Sequence, residues 1–78
     1  MKVRRFKLAD YVVTEIWKID GHREILHRED GPALVGTLSN KWYLNGIRYS
    51  RMDYFVALKK YYDKTNEDIF LIALEYHA

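Results

Sequence analysis

Trp17-Lys18-Ile19-Asp20-Gly21 recurs downstream as Trp42-Tyr43-Leu44-Asn45-Gly46. Each copy closes on an Asp-Gly or Asn-Gly pair, which suits a type I′ hairpin turn because both of its central positions need positive φ. The residues before each pair are aromatic or β-branched in large part, and these fit a pleated, half-buried strand. The pentapeptide therefore predicts a strand running into a tight turn, twice. The offset between the copies lies within the roughly 20–50-residue periods of stacked supersecondary units. A lone hairpin is marginal in water, so each tryptophan is expected to occupy a matching place in its hairpin and to pack against the next unit.

Working outward, strands are expected over Lys2–Leu8, Tyr11–Ile19, Glu24–His27, Ala33–Thr37, Lys41–Leu44 and Ile47–Tyr49. Asp30-Gly31-Pro32 and Ser39-Asn40 supply further turns. The pattern changes after Tyr49. Ser50-Arg51-Met52-Asp53 has the spacing of a helix N-cap with an acid at N3, and Thr65-Asn66-Glu67-Asp68 repeats it. Residues 51–63 then follow a helical period. Phe55, Leu58 and Tyr62 share one face, flanked by Tyr54 and Tyr61, with Asp53, Ala57 and Lys60 opposite. Residues 66–76 place Glu67, Leu71 and Glu75 on one stripe, opposite Ile69, Ile72, Ala73 and Tyr76. A buried strand is the rival reading there. The expected fold is α+β: a small antiparallel β-meander of about four to six short strands, followed by two C-terminal helices packed on it. Residues 1–78 make a single domain, with hairpins over 1–49 and helices over 50–78.

Seventy-eight residues lie near the lower end of what folds unaided. Two Trp, seven Tyr and three Phe supply the apolar area that so small a core needs. The chain has no cysteine, which excludes disulfides and thiolate metal sites and fits a reducing, cytoplasmic setting. No apolar run approaches the roughly 20 residues of a membrane span, and no signal peptide is visible. A net charge of +2 is too small to argue for nucleic acid. The bases are unevenly placed, however. Lys2, Arg4, Arg5 and Lys7 face only Asp10 within the first ten residues. Such a patch could meet phosphate or an acidic protein surface, although a solvated strand face is the plainer reading.

Between the two pentapeptides lies His27-Arg28-Glu29-Asp30-Gly31-Pro32-Ala33. Together with Trp-X-X-Asp-Gly before it and Trp-Tyr-Leu-Asn-Gly after it, this heptapeptide resembles a short repeat common in proteins of tailed phages and large DNA viruses. The resemblance covers about residues 16–50 and is most specific at the heptapeptide. His22-Arg23-Glu24 enlarges the first turn region by about two residues, and the second unit ends in Arg48-Tyr49-Ser50 in place of another His-Arg-Glu. The resemblance implies a viral origin and a β-rich repeat. It implies no enzymatic activity. Small phage proteins of this size are often host-takeover or anti-defence factors that act by binding.

His27, Arg28, Glu29 and Asp30 have the look of a catalytic cluster. On a strand, though, His27 and Glu29 would share one face and Arg28 and Asp30 the other. The expected role is structural. Asp30 would accept backbone N–H groups around the turn, Gly31 would supply positive φ and Pro32 would fix the exit. Arg28 would stack on Trp17 or Trp42, or pair with an acid. His22, His27 and His77 are the right ligand types for a metal, but no pair has the helical i, i+4 spacing of zinc hydrolases. Ser39 and Ser50 read as turn and cap residues. No catalytic residue, metal or cofactor is expected.

Binding is the remaining class. Tyrosine and arginine anchor protein interfaces. The expected contacts of a protein partner are Tyr43, Arg48, Tyr49 and Tyr61, with Arg4 and Arg5 from the basic N-terminus. A host protein, inhibited or redirected by steric occlusion, is the leading partner. Nucleic acid is the runner-up, held by Arg4, Arg5, Lys7, Lys59 and Lys60, since aromatics among bases stack on nucleobases and neutralise phosphates. A structural accessory of the virion or its assembly is a third reading. The apolar Ile69–Leu74 segment, with Leu71 on the polar stripe, could seal a homodimer.

Overall fold

The computed structural model describes residues 1–76, without the side chain of Leu8. His77, considered above as a ligand, lies outside the described residues. Six strands and two helices follow in order: β1 Lys2–Leu8, β2 Tyr11–Asp20, β3 Arg23–Leu26, β4 Leu34–Gly36, β5 Asn40–Leu44, β6 Ile47–Tyr49, α1 Arg51–Tyr61 and α2 Asn66–Glu75. The expected α+β architecture is therefore present, and residues 66–75 are helix, not buried strand. All strand pairs are antiparallel. The boundaries move by one or two residues. The strand expected to reach Thr37 stops at Gly36, and the helix expected to reach residue 63 stops at Tyr61.

One step departs from a plain meander. β1 pairs with the first seven of the ten residues of β2, from Leu8↔Tyr11 to Lys2↔Trp17. The other edge of β2 is shared. β3 takes its far half, from Trp17↔Leu26 to Asp20↔Arg23, and β4 takes its near half, from Glu15↔Leu34 to Val13↔Gly36. Ile16 bridges the two: its N–H donates to Ala33 O at 2.8 Å, and its O accepts from His27 N–H at 3.1 Å. β3 and β4 thus fill one place in the sheet, and residues 28–32 are thrown out between them. β5 continues on the far side of β4, and Gly46 N–H reaches Leu26 O at 2.8 Å to close the edge of β3.

The two pentapeptides fold differently. In the second, Leu44 pairs with Ile47, and Asn45 and Gly46 both have positive φ, as a type I′ turn requires. In the first, Asp20 pairs with Arg23, so the turn residues are Gly21 and His22. Only Gly21 has positive φ there, which is the sign pattern of a type II′ turn, not the expected I′. The tryptophans part company too. Paired strand residues share a face and neighbours alternate. Trp17 therefore lies with Glu15, Leu34 and Lys41, whereas Trp42 lies on the opposite face. Trp42 is buried; Trp17 is half-buried. They do not hold matching places.

The Trp42 face carries the core. Trp42 and Leu44 pack with Tyr54, Ala57 and Leu58 of α1 and Ile72 of α2, with Tyr49, Phe55, Tyr62 and Tyr76 around them. The Trp42 ring meets Tyr54, Phe55 and Tyr76 at centroid distances of 4.8, 5.4 and 6.3 Å. Each such pair adds about 0.5–1.5 kcal/mol beyond its buried area. The buried stripe of α1 is thus rotated from the one expected: Ala57 is buried and Tyr61 exposed. A small Ala lets the helix approach the sheet closely. α2 presents Ile72 inward, flanked by half-buried Ile69, Ala73 and Tyr76, as its periodicity predicts.

Both helix starts are capped as expected. Ser50 Oγ accepts from Asp53 N–H at 3.1 Å. Thr65 Oγ1 accepts from Asp68 N–H at 3.1 Å while Asp68 Oδ2 accepts from Thr65 N–H at 2.9 Å, a complete capping box. At the end of α2, Arg51 donates to Ala73 O and Tyr76 O, both at 3.3 Å. This satisfies carbonyls that a helix C-terminus leaves free and places a cation at its negative pole.

Candidate functional site

The heptapeptide opens on four polar residues, and its loop bonds both to the sheet and to the helices. His27 is buried. Its Nδ1 accepts from Asn45 N–H at 2.9 Å, so the ring proton resides on Nε2, which donates to Glu29 Oε2 at 2.8 Å. Both ring nitrogens are committed.

Arg28 is the organiser of the loop. Its Nε donates to Asp30 Oδ1 at 2.8 Å, Nη1 to Pro32 O at 3.2 Å, and Nη2 to Tyr76 Oη at 2.9 Å. The guanidinium lies over the Tyr76 ring, 5.2 Å from its centroid. Burial works against its charge, but Asp30 and Tyr76 more than offset that and raise its pKa. The expected acid partner is therefore found, while the aromatic partner is Tyr76 and neither tryptophan. Asp30 is also corrected: it holds Arg28, and no backbone N–H among the described residues donates to it.

Tyr54 takes that role instead. Its hydroxyl lies 2.6 Å from Arg28 O and 2.8 Å from Gly31 O, and it accepts from Gly31 N–H at 3.3 Å. Burial pushes its pKa well above the ordinary value. Gly31 does not have positive φ. It is small for another reason: a Cβ there would stand 2.9 Å from Tyr76 Cε2 and 3.0 Å from Arg28 Cζ. Pro32 behind it is fully buried.

A cleft of about 620 Å³ opens beside this loop, lined among others by Trp17, Lys18, Glu29, Asn45, Tyr62 and Lys64. Its polar groups are largely engaged with one another. Lys18 Nζ meets Asn45 Oδ1, and Asn45 Nδ2 donates to Tyr62 Oη at 2.9 Å. Trp17 Nε1 is buried and meets no partner among the described residues. No group of three or more His, Cys, Asp or Glu among the described residues is placed to hold a metal ion.

The expected contact residues divide between surfaces. Tyr43 and Arg48 are direct cross-strand partners on the face opposite Trp42. Arg4 joins that face, opposite Glu15, with its guanidinium 5.7 Å from the Trp17 ring centroid. Arg5 and Lys7 alternate to the other side of β1. Tyr49 is half-buried; it pairs with Trp42 and packs against the core. Tyr61 is exposed near the end of α1, with Lys60 Nζ 5.3 Å from its ring, and Lys59 is exposed beside them.

The N-terminal bases are therefore split. Lys2 and Arg4 lie on the face of Glu24 and Glu15, with ion pairs of 2.6 Å to Glu24 from Lys2 and of 3.7 and 3.9 Å to Glu24 and Glu15 from Arg4. The Lys2 hydrogen bond lowers the Glu24 pKa. β1 is an edge strand, and charges along an edge discourage pairing with another sheet. That position accounts for four bases in a short strand without a phosphate partner.

What remains open is the sheet face itself. Both helices pack on the Trp42 side. The other side carries Phe6, Trp17, Leu34 and Tyr43, half-buried, with Arg4, Lys41 and Arg48 among them, and none of the described elements covers it. No helix among the described residues is long and apolar enough to cross a membrane. Comparison with protein-family models, curated proteins and solved structures found no match for this chain.

Proposed function

We propose that this chain is a small binding protein of viral origin that inhibits or redirects a host protein, such as a bacterial defence component, by covering a working surface of it in the host cytoplasm. One observation carries the binding reading: Tyr43 stands beside Arg48 on a sheet face that no second layer covers. Aromatic and arginine anchors on such a face supply the rigid contact area of an interface core. The polar heptapeptide, by contrast, engages His27 and Arg28 in internal contacts. The viral origin rests on the resemblance of the heptapeptide.

A protein partner is favoured over nucleic acid by the charge on this face. Glu15 and Glu24 stand among its bases and would repel phosphate. The test is affinity capture from host extract with wild type and with the Tyr43→Ala/Arg48→Glu chain. A single reproducible protein, lost with the double variant and rebound from purified components at physiological salt, supports the reading. Recovery of nucleic acid whose binding falls steeply with salt overturns it.

A further inference from the structure

The helical layer has its own exposed apolar surface. Phe70, Leu71 and Leu74 of α2 are 61%, 56% and 58% exposed, on the side away from buried Ile72. Met52 and Val56 of α1 are 74% and 58% exposed, away from Tyr54 and Leu58. The same outer side of α1 continues into exposed Lys59 and Lys60, one and two turns on from Val56 and Met52. The outer side of α2 begins with exposed Glu67 and turns apolar toward its C-terminus. Arg51, at the start of α1, bonds the end of α2, so the two helices run antiparallel.

We propose that this layer docks on a second copy of the chain, α1 of one protomer against α2 of the other, in a two-fold dimer with a four-helix interface. The pattern of each helix specifies the pairing. With α1 antiparallel to the partner's α2, Met52 and Val56 meet the apolar C-terminal half of that helix, while Lys59 and Lys60 meet its acidic start at Glu67. The two-fold operation repeats both contacts. Packing α2 on α2 fails by the same criterion. α2 carries Glu67, Asp68 and Glu75 and no base, so acids would face acids. Asp53 and Glu75 lie to the flank of the stripes, where water screens them.

Size sets the strength. Helices of 11 and 10 residues are each about 16 Å long. Side by side they present a patch near the small end of specific interfaces, below roughly 1,200 Å² in total. The dimer is accordingly reversible, forming with rising concentration.

Sedimentation velocity over a wide concentration range tests this on the full chain. The expected result is a monomer–dimer equilibrium that Leu71→Glu weakens about tenfold or more without changing the circular dichroism spectrum. Lys59→Glu/Lys60→Glu should weaken it as well, and adding Glu67→Lys should restore it. A monomer at every concentration overturns the proposal, as would occur if another protein covers this layer. The absence of native cysteine allows a second test. Val56→Cys chains mixed with Leu71→Cys chains should oxidise to a disulfide between the two species. Cross-linking of Leu71→Cys to itself alone overturns the α1–α2 arrangement.

Discussion

The hydroxyl of Tyr54 lies 2.6 Å from the carbonyl oxygen of Arg28, inside the loop that interrupts the central strand. One phenol thereby ties the His27–Ala33 segment to the first turn of α1. It serves the carbonyl of half-buried Arg28 and the backbone groups of buried Gly31. Tyr54→Phe keeps the ring against Trp42 and removes only these bonds. The expected loss is about 1–3 kcal/mol, the cost of leaving buried polar groups unsatisfied. Urea unfolding should show a lower midpoint with an unchanged m-value. An unchanged midpoint would mean that water replaces the hydroxyl.

Gly31 and Gly21 are small for different reasons, and alanine should separate them. At Gly21 a Cβ meets nothing within 4 Å, but φ is +64°. Gly21→Ala should cost about 1–2 kcal/mol of local backbone strain and leave the rest of the molecule in place. At Gly31 the added carbon meets Tyr76 and Arg28. Gly31→Ala should unseat Tyr76 and loosen the end of α2. Amide exchange distinguishes the two: faster exchange confined to the β2–β3 turn for the first, and along α2 for the second.

The periodic elements were legible in the sequence because their signals are local. Ser50 and Thr65 sit at cap spacing, and residues 66–75 alternate at helical period, so α2 follows from a short window. The heptapeptide loop is different. Asp30-Gly31-Pro32 announces a turn, yet nothing nearby says that Tyr54 and Tyr76 will close it. Those bonds join residues 26 and 48 positions apart. The hint available was the excess of tyrosines, whose hydroxyls need partners when buried. The repeat misled for a related reason. Trp17 and Trp42 stand in like pentapeptides, but a turn displaced by one residue and a loop inside the central strand put them on opposite faces. Side-chain parity in a sheet depends on register, which no pentapeptide encodes. The candidate surface was half legible. Tyr43 and Arg48 share a face, whereas half-buried Tyr49 pairs with Trp42 and packs against the core.

The β1–β2 turn holds an improvable residue. Ala9 has φ of 53°, a conformation that Cβ disfavours, in the turn closed by Leu8↔Tyr11. Glycine occupies such positions without that penalty. Ala9→Gly should therefore raise stability by about 1 kcal/mol, partly reduced by the greater freedom of glycine in the unfolded chain. For a domain of this size that corresponds to a rise of roughly 4–8 °C in Tm. A fall in Tm would show that the turn relaxes to another conformation in solution.

Stability should fall at both extremes of pH, and the alkaline side should report on Tyr54. Glu24 is held below its ordinary value first by the hydrogen bond from Lys2, and Asp68 by the bonds it receives from Thr65. A lowered carboxyl pKa stabilises the fold above the unfolded value and loses that contribution as pH falls through the folded one. Glu24 is exposed and Asp68 only half-buried, so the acid limb should be shallow. Tyr54 is raised by burial, and Tyr62 by burial and then by Glu29. For a raised pKa the sign reverses. The contribution is complete below the unfolded value of about 10 and is lost as pH climbs from there toward the folded value, because only the unfolded chain ionises freely. Urea midpoints measured from about pH 3 to 11 should therefore form a plateau that falls steeply only above about pH 10. In Tyr54→Phe the plateau should sit lower and its alkaline edge should be gentler, leaving the Tyr62 share. An alkaline edge of equal slope in both proteins would assign it to other groups and leave Tyr54 no part in it.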